Sequence, residues 1–247
     1  MTSTWVGTSW KMTKTLAEAR AFARGLAAAE PALPAEVQPF VIPPATALAA
    51  VRAELPASSR VLVGAQDAHW EDAGPWTGEV SVPQVADAGA RLVEIGHSER
   101  REAFGETDER IRLKVHATLR HSLVPLVCVG EPAAVRAAGG QAAYVAAQTR
   151  AAFDGVAAGT RVLVAYEPVW AIGEGGRPAT PDDVEAPVAA IRAATADLDA
   201  HVLYGGSVDG ENAPALLDVP GVGGLFVGRA AWDLAGFLTI LRVAARG

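Results

Sequence analysis

The sequence predicts a single α/β domain in which eight parallel strands close into a (β/α)8 barrel with helices outside. Eight short apolar segments alternate with helix-like segments, polar and glycine residues collect just after the apolar segments, and 247 residues is a common length for such a barrel. A doubly wound open sheet is the competing architecture, because it shows the same alternation. We expect one domain over residues 1–247, since no linker, low-complexity tract or run of charge marks a boundary.

The predicted strands are short and rich in Val, Leu and Ile, as strands buried on both faces usually are. They are Thr4–Gly7, Val37–Ile42, Val61–Ala65, Leu92–Ile95, Val124–Val129, Val162–Tyr166, His201–Tyr204 and Gly224–Val227. The clearest helix-like stretches between them are rich in Ala, Leu, Arg and Glu, which have high helix propensity. They are Leu16–Ala29, Asp108–His121, Ala133–Ala152 and Asp182–Ala196.

Composition argues against several classes of protein. The net charge of −7 disfavours general nucleic-acid binding, and no apolar run approaches the roughly 20 residues of a membrane span. The amino terminus shows no basic segment followed by an apolar stretch, so we expect no secretory signal. The single cysteine, Cys128, cannot form an internal disulfide and fits a reducing cytoplasm, where a buried structural thiol is expected. No spacing of His, Cys and acidic residues indicates a metal site.

Chemically useful residues follow six of the predicted strands. In a barrel of parallel strands these positions share one rim, where the active sites of such barrels lie. They are Ser9 and Lys11, Gln66, Gly96–Glu99, Glu167, Gly205–Ser207 and Gly228–Arg229. The sequence therefore predicts a functional site at this rim.

Glu167 is the candidate base of that site. It ends an apolar run and precedes Pro168, which cannot continue a central strand, and a loop that contains Gly173. Partial burial against Trp170 and Ile172 would raise the proton affinity of the carboxylate, as a base near neutral pH requires. The alternative is a structural carboxylate that caps a loop or pairs with an arginine, which the surrounding Tyr-Glu-Pro-Val-Trp-Ala-Ile-Gly block makes less attractive.

A histidine and a lysine supply the matching electrophilic groups. His97 is the one histidine of five that combines a strand end, a preceding glycine and charged followers. A neutral imidazole there can donate a hydrogen bond to a substrate oxygen and polarise a carbonyl. Lys11 lies between the apolar residues Trp10 and Met12, where a charge is costly unless it has a partner. Glu99 and an anionic substrate are the two partners that we expect. A simply solvated lysine is the alternative.

Two glycine-rich segments follow the last two strands. They are Gly205–Ser207 and Gly223–Arg229. Glycine lets the backbone approach a ligand closely, and successive N–H groups form an anion nest. Their position matches the usual phosphate site of such barrels, so we predict that they bind a phosphate group.

Together these segments closely resemble the triosephosphate isomerase family. The likeness extends from Gly7–Met12 to Leu225–Arg229. It is most specific in Gly96–Arg101, Tyr166–Gly173 and Tyr204–Val208. The resemblance implies a (β/α)8 (TIM) barrel, usually a homodimer, that interconverts an aldose phosphate and a ketose phosphate without a cofactor.

The resemblance also implies roles for the matching residues. Glu167 matches the base that moves a proton between two carbons, and His97 matches the electrophile that stabilises the enediolate. Lys11 matches the substrate-binding lysine, and Glu99 matches its acidic partner. The phosphate-binding positions of the family match Gly173, Ser207, Gly228 and the backbone of Arg229.

A homodimer is expected from the same resemblance. Gln66 and the segment Trp76–Glu79, around Thr77, resemble the loop that reaches into a neighbouring subunit. Completion of one site by its neighbour would explain the dimers of the family.

Three departures from the family pattern bear on the substrate. Ser9 stands where the family normally has Asn, and the loop Gly173–Thr180 is one residue longer than the common form and lacks its lysine. After the eighth strand, Gly228-Arg229 replaces a Gly-Gly pair. None of these changes the predicted base or electrophile. The segments Gly7–Met12 and Phe226–Trp232 together resemble a branch that isomerises erythrulose 1-phosphate, and a smaller residue at position 9 leaves space for one extra hydroxymethyl group.

We therefore predict a cytoplasmic, cofactor-free sugar-phosphate isomerase that works through an enediolate on triose or tetrulose phosphates. One alternative is a dedicated L-erythrulose 1-phosphate isomerase of erythritol breakdown with little triose activity, in contrast to a glycolytic enzyme. A second alternative is a non-catalytic protein that binds a phosphorylated metabolite. A barrel that transfers groups to phosphorylated ribose or indole precursors is a weaker third, because the additional acids that it needs are not evident.

Overall fold

The computed structural model describes residues 3–173 and 176–246, and within them eight parallel strands form a closed barrel. Each strand pairs with the next along the chain, and the eighth pairs with the first. The strands are β1 Thr4–Ser9, β2 Val37–Ile42, β3 Leu62–Ala65, β4 Leu92–Ile95, β5 Val124–Val129, β6 Arg161–Tyr166, β7 Asp199–Tyr204 and β8 Val222–Val227. The predicted closed barrel is confirmed, and an open sheet is excluded.

Helices connect the strands around the outside of the barrel. They are α1 Leu16–Ala29, α2 Leu48–Glu54, α3 Val82–Asp87, α4 Ser98–Phe104, α5 Asp108–Arg120, α6 Ala133–Ala137, α7 Gln141–Phe153, α8 Pro181–Ala194, α9 Ala213–Leu217 and α10 Leu234–Val243. Short 3-10 turns occupy Glu30–Ala32, Ala45–Ala47, Val169–Ala171, Arg229–Ala231 and Ala244–Arg246. Two of the longest helices begin with complete capping boxes, at Thr15 with Glu18 and at Thr180 with Asp183.

Several of the predicted boundaries are wrong, and β7 and β8 each begin two residues earlier than predicted, at Asp199 and Val222. The stretch predicted as one helix over 133–152 forms two helices, α6 and α7. Gly139 adopts a φ of +72° between them, a left-handed conformation that ends α6 and that an L side chain disfavours. The first strand continues to Ser9 instead of ending at Gly7, because its pairing with β2 persists to Ile42.

Two apolar layers fill the molecule, one inside the barrel and one between the strands and the helices. The inner layer consists of Trp5, Phe40, Ile42, Leu92, Leu126, Cys128, Leu163, Ala165, Leu203 and Phe226. Gly7 makes room for this layer, since a Cβ at that position would lie 2.1 Å from the Phe40 ring. Burial raises the pKa of the Cys128 thiol, as expected of a structural cysteine rather than a nucleophile.

Because successive side chains of a strand point to opposite faces, every second residue of each strand faces the barrel interior. The same alternation brings residues at or just beyond the strand ends over the mouth of the barrel. Across the described parts of the chain, no helix is both long enough and apolar enough to cross a bilayer.

Candidate functional site

A pocket of about 620 Å³ opens at the carboxyl ends of the strands. The sequence-predicted site residues are brought together there, although they come from five different strand ends. The pocket is lined by Ser9, Lys11, His97, Glu99, Glu167, Gly173, Ser207, Gly228 and Arg229. Gln66, Gly96 and Ser98, which were also expected at this rim, do not line it.

Glu167 lies directly beyond β6 and is almost completely buried, with 5% of its surface exposed. Its backbone N–H donates to the Val129 carbonyl at 2.8 Å, which extends the strand pairing by one step and fixes the side chain over the pocket. Gly205 lets the carboxyl group lie against the end of β7, because a Cβ there would come within 2.7 Å of Glu167 Cγ. The Oε2 atom of Glu167 has no hydrogen-bond partner among the described residues.

The carboxyl group of Glu167 is tuned towards strong basicity. Burial raises its pKa well above the ordinary value, and the nearby Glu94 carboxyl group adds to the increase. The ammonium group of Lys11 opposes both effects. A glutamate in this environment binds a proton more tightly than an exposed one, which is what proton abstraction from carbon demands.

His97 faces Glu167 across a short gap, with 3.4 Å between His97 Nε2 and Glu167 Oε2. At the start of α4, His97 Nδ1 accepts a hydrogen bond from the Glu99 backbone N–H at 3.1 Å. This assigns the proton of a neutral ring to Nε2, the nitrogen that faces the pocket. Burial, and secondly the charge of Lys11, lower the pKa of His97 to about 4. The ring is therefore neutral at pH 7 and presents one N–H donor.

Lys11 adopts an unusual backbone conformation for a side-chain-bearing residue, with a φ of 51°. Its carbonyl accepts a hydrogen bond from Gln66 Nε2 at 2.8 Å, which helps to hold the turn after β1. Its Nζ donates to Glu99 Oε1 at 2.6 Å. Backbone strain of this kind is typical of functional positions, and here it directs a cation over the mouth of the barrel.

The glycine-rich side of the pocket is built from the loops after β6, β7 and β8. Gly173 has a φ of +81°, a conformation that favours glycine. Ser207 Oγ donates to the Ala171 carbonyl at 2.7 Å and thereby joins the loop after β7 to the segment after β6. Arg229 is exposed at the rim and begins a 3-10 turn, so its cationic side chain stands beside Gly228.

The predicted loop Gly173–Thr180 is only partly described, because Glu174 and Gly175 lie outside the described residues. Its second half contacts the body of the barrel. The Arg177 guanidinium lies 5.2 Å from the centre of the Trp170 ring and contacts Asp183 at 3.2 Å.

The most consequential pocket residue that was not predicted from the sequence is the buried acidic residue Glu94 on β4. It lines the pocket, only 3% of its surface is exposed, and its Oε2 has no hydrogen-bond partner within 3–173 and 176–246. The signal was present, because an acidic residue inside the apolar segment Leu92–Ile95 is costly unless it has a partner or a function. Burial raises the pKa of Glu94 to about 8, against the opposing effects of the Ser9 hydroxyl and the Lys11 charge.

In the described part of the chain, no group of three or more His, Cys, Asp and Glu side chains is arranged to hold a metal ion. The chemistry that the pocket residues themselves can perform is proton transfer. A buried carboxylate, a neutral imidazole donor and a lysine cation meet within it, beside loops that offer backbone N–H groups to an anion.

Comparison with known proteins agrees with this geometry. Residues 4–244 match the family model described as triosephosphate isomerase. The chain is 54% identical over 246 residues to a protein of Mycolicibacterium smegmatis named L-erythrulose-1-phosphate isomerase, which covers 98% of this chain and 93% of the relative. Proteins of the same name from Rhizobium meliloti and Mesorhizobium japonicum are each 50% identical, over 98% and 96% of this chain and 97% and 95% of theirs.

Proposed function

The chain belongs to the triosephosphate isomerase family and is a sugar-phosphate isomerase, and we propose that its substrate is L-erythrulose 1-phosphate. The observation that carries the proposed chemistry is the buried pair of Glu167 and His97, 3.4 Å apart, with the histidine neutral. A glutamate base with a neutral histidine is the established arrangement of triosephosphate isomerases. The substrate is taken from the relatives, which match almost the whole chain and bear that name.

In the proposed reaction Glu167 moves one proton between neighbouring carbons. The C3–H bond of the tetrulose breaks, its proton passes to the Glu167 carboxylate, and the electron pair forms a C2–C3 double bond while the C2 carbonyl oxygen becomes an oxyanion. The proton then returns from Glu167 to C2, and the hydroxyl proton on O3 moves to O2. The carbonyl has moved from C2 to C3, so a tetrulose phosphate yields a second ketose phosphate. With a triose phosphate the same transfer would interconvert a ketose and an aldose.

His97 and Lys11 lower the energy of the oxyanion in this scheme. The Nε2–H of His97 donates to the developing oxyanion and relays the proton between O2 and O3. A neutral imidazole is a closer match in acidity to an enediol than an imidazolium would be. Lys11 adds a positive charge in a partly desolvated site, and its ion pair with Glu99 holds it in place.

The phosphate group is proposed to bind at Gly173, Ser207, Gly228 and the backbone of Arg229. The supporting observation is that these positions share one side of the pocket, beside the last three strands. Binding energy from the phosphate, which does not react, would help to hold the reacting carbons at Glu167 and to exclude water. With Lys11, His97 and Glu167 in one pocket and family membership shown, the non-catalytic alternative is left without support.

A homodimer formed through the loop around Thr77 is part of this proposal. Residues 71–79 are exposed in the single chain, and the large apolar side chain of Trp76 is 45% exposed while packing on His69 at 4.5 Å between ring centres. An exposed tryptophan on a projecting loop suits a protein interface. Sedimentation should give a dimer for the parent chain and a monomer for Thr77→Arg. Glu185→Arg, on the exposed side of α8, should leave the dimer intact. A dimeric Thr77→Arg variant with normal activity would refute this interface.

We place the activity in the cytoplasm and in four-carbon polyol breakdown rather than in glycolysis. Both placements follow from the proposed substrate and from the reducing environment that suits a free, buried thiol at Cys128.

The proposed reaction has a direct test in deuterated water. Incubation with L-erythrulose 1-phosphate should give a ketose phosphate that carries deuterium at C2, because the proton held by Glu167 exchanges with solvent before it returns to carbon. Proton NMR would follow both the loss of the C3 signal and the isotope in the product. A folded protein that converts dihydroxyacetone phosphate, yet neither converts the tetrulose nor exchanges its C3 proton, would overturn the substrate assignment.

A further inference from the structure

The mechanism above leaves one buried carboxyl group of the pocket without a task. Glu94 has 3% of its surface exposed, and its Oε2 has no hydrogen-bond partner in the described part of the chain. A buried polar atom without a partner costs about 1–3 kcal/mol. On the wall of a substrate pocket, such an atom marks a position where a ligand can supply the missing partner.

The fold places Glu94 inside the barrel. Glu94 lies two residues beyond Leu92 on the same strand, and it pairs with Leu126 of the neighbouring strand. Both leucines belong to the inner apolar layer. Strand alternation therefore turns Glu94 towards the barrel axis, directly above that layer. In a closed ring of eight strands β4 lies opposite β8, so Glu94 is across the pocket from the phosphate-binding loop that begins at Gly228.

Ser9 completes the surroundings of this carboxyl group. It ends β1, is 5% exposed, and lines the same pocket. Its backbone carbonyl accepts a hydrogen bond from Trp232 Nε1 at 2.9 Å, which fixes the end of the strand. The hydroxyl is near enough to lower the pKa of Glu94 against the larger effect of burial. The two side chains thus form a small, buried polar recess in the wall of the pocket.

We propose that Glu94 and Ser9 bind the terminal hydroxymethyl group of the four-carbon substrate and thereby select it over a three-carbon one. The inference rests on the proposed function, since it takes the tetrulose phosphate as substrate and assigns the residues that recognise its C4 hydroxyl. In the bound molecule the phosphate lies at the loops after β6 to β8 and C3 lies at Glu167. The group attached to C3 then extends away from the phosphate, towards the recess.

The chemistry of the recess matches a hydroxyl group. A hydroxyl needs both an acceptor for its proton and a donor for its oxygen. Because burial raises the pKa of Glu94 to about 8, the carboxyl group carries its proton at pH 7 and can both accept and donate. A triose phosphate has hydrogen at the place of this hydroxymethyl group, so it leaves the Glu94 oxygen unpaired. Sites built to hydrogen-bond a hydroxyl reject analogues that lack it far more strongly than apolar pockets discriminate by size.

Glu94→Leu and Glu94→Gln, each measured with both substrates, test this assignment. Removing the carboxyl group in Glu94→Leu should lower kcat/KM for L-erythrulose 1-phosphate by about 100-fold more than it changes kcat/KM for dihydroxyacetone phosphate, since any effect of Glu94 on the basicity of Glu167 acts on both substrates alike. Glu94→Gln keeps a donor and an acceptor and should retain tetrulose turnover within about tenfold. Glu109→Gln, on the exposed face of α5, is the matched control and should leave both substrates unaffected.

A substrate analogue tests the same contact in the unaltered protein, so the result does not depend on a variant that folds. The compound 3-hydroxy-2-oxobutyl phosphate lacks only the C4 hydroxyl, and its kcat/KM with the parent enzyme should be about 100-fold below that of the tetrulose. In Glu94→Leu the values of kcat/KM for the two compounds should be almost equal, because the contact between the carboxyl group and the C4 hydroxyl is already lost.

The outcomes separate this inference from the proposed function. Turnover of L-erythrulose 1-phosphate by the parent chain decides the proposed function before any variant is made, and its absence overturns both. With that turnover established, an equal loss on both substrates in Glu94→Leu would make Glu94 a positioning residue for Glu167 and overturn the specificity role. Unchanged kinetics in Glu94→Leu, or equal use of the tetrulose and its deoxy analogue by the parent enzyme, would also overturn it.

Discussion

The two ends of the pocket are built in opposite ways. The proposed phosphate end consists of Gly173, Ser207 and Gly228, which lie in loops at the rim and would bind mainly through backbone groups. The hydroxymethyl end, formed by Ser9 and Glu94, relies on two side chains that are at least nine-tenths buried on barrel strands. Loop backbone can bind any phosphorylated sugar, whereas a buried carboxyl oxygen that has no hydrogen-bond partner among the described residues favours one particular polar group. The difference indicates that affinity comes from one end and substrate length from the other.

The reaction centre lies between these ends and is common to every substrate of the pocket. Glu167→Gln should therefore abolish activity without regard to substrate length, and it is the largest effect that we expect. Loss of the general base should lower kcat by about 10³–10⁴-fold for tetrulose and triose phosphates alike. Because the amide cannot become a buried charge, the free energy of unfolding should fall by no more than about 1 kcal/mol.

Steady-state kinetics and chemical denaturation of the same preparation measure both quantities, with Glu109→Gln as control. A Glu167→Gln enzyme with more than a tenth of the parent activity on either substrate would remove Glu167 from the role of base.

His97→Gln should produce the second largest effect, a loss of about 10²–10³-fold in kcat on both substrates, since one oxyanion donor is removed. The pKa of His97 is lowered to about 4, so the ring is neutral between pH 5 and 9. The pH profile of kcat/KM should accordingly contain no limb near 6.5 that disappears in His97→Gln. Such a limb would mean that the imidazole titrates between pH 5 and 9 and that it is more exposed to solvent than the structure indicates.

The proposed hydroxymethyl end should affect the pH dependence of stability, because its carboxyl group is buried. The pKa of Glu94 is raised to about 8 by burial, above the ordinary value near 4.5. The folded protein therefore holds a proton that the unfolded chain releases, and the stability linked to it is lost as pH rises from about 4.5 through 8.

Glu94→Gln has no such proton, so its stability relative to the parent should increase by about 2–4 kcal/mol between pH 5 and pH 8. Urea denaturation at several pH values, without ligand, measures this difference. Parallel stability curves for the two proteins would contradict a buried, neutral Glu94.

Ser207→Ala should give the smallest effect and should be indifferent to substrate length. The hydroxyl that donates to the Ala171 carbonyl at 2.7 Å is lost, and one such hydrogen bond is worth about 1 kcal/mol. KM should rise by about 3–10-fold for triose and tetrulose phosphates together, whereas the exposed Ser58→Ala should change neither. A KM change confined to one substrate would contradict the claim that the phosphate end binds both substrates in the same way.

The sequence analysis succeeded where residues cluster in motifs and failed where a single residue acts alone. The barrel followed from eight apolar segments that alternate with helical ones. The convergence of the candidate site residues on one pocket followed from their positions just beyond strand ends. Glu94 was overlooked because, within Leu92–Ile95, one acidic residue does not alter an apolar strand pattern. The alternation of side chains in the folded barrel is what shows that Glu94 faces the pocket and does not face the surrounding helices.

The break between α6 and α7 was missed for a related reason. The alanine-rich composition on both sides favours a helix, and a local pair of glycines outweighs it through the left-handed conformation at Gly139. In both places the physical effect of one or two residues exceeds that of the average composition.

The central claim is that this pocket recognises a four-carbon sugar phosphate, and the most direct measurement is kcat/KM of the parent enzyme for L-erythrulose 1-phosphate and dihydroxyacetone phosphate, determined side by side. We expect the tetrulose to be preferred by about 100-fold or more, because only its C4 hydroxyl pairs with the buried Glu94 carboxyl group. Equal values for the two substrates, or a preference for the triose, would contradict the account.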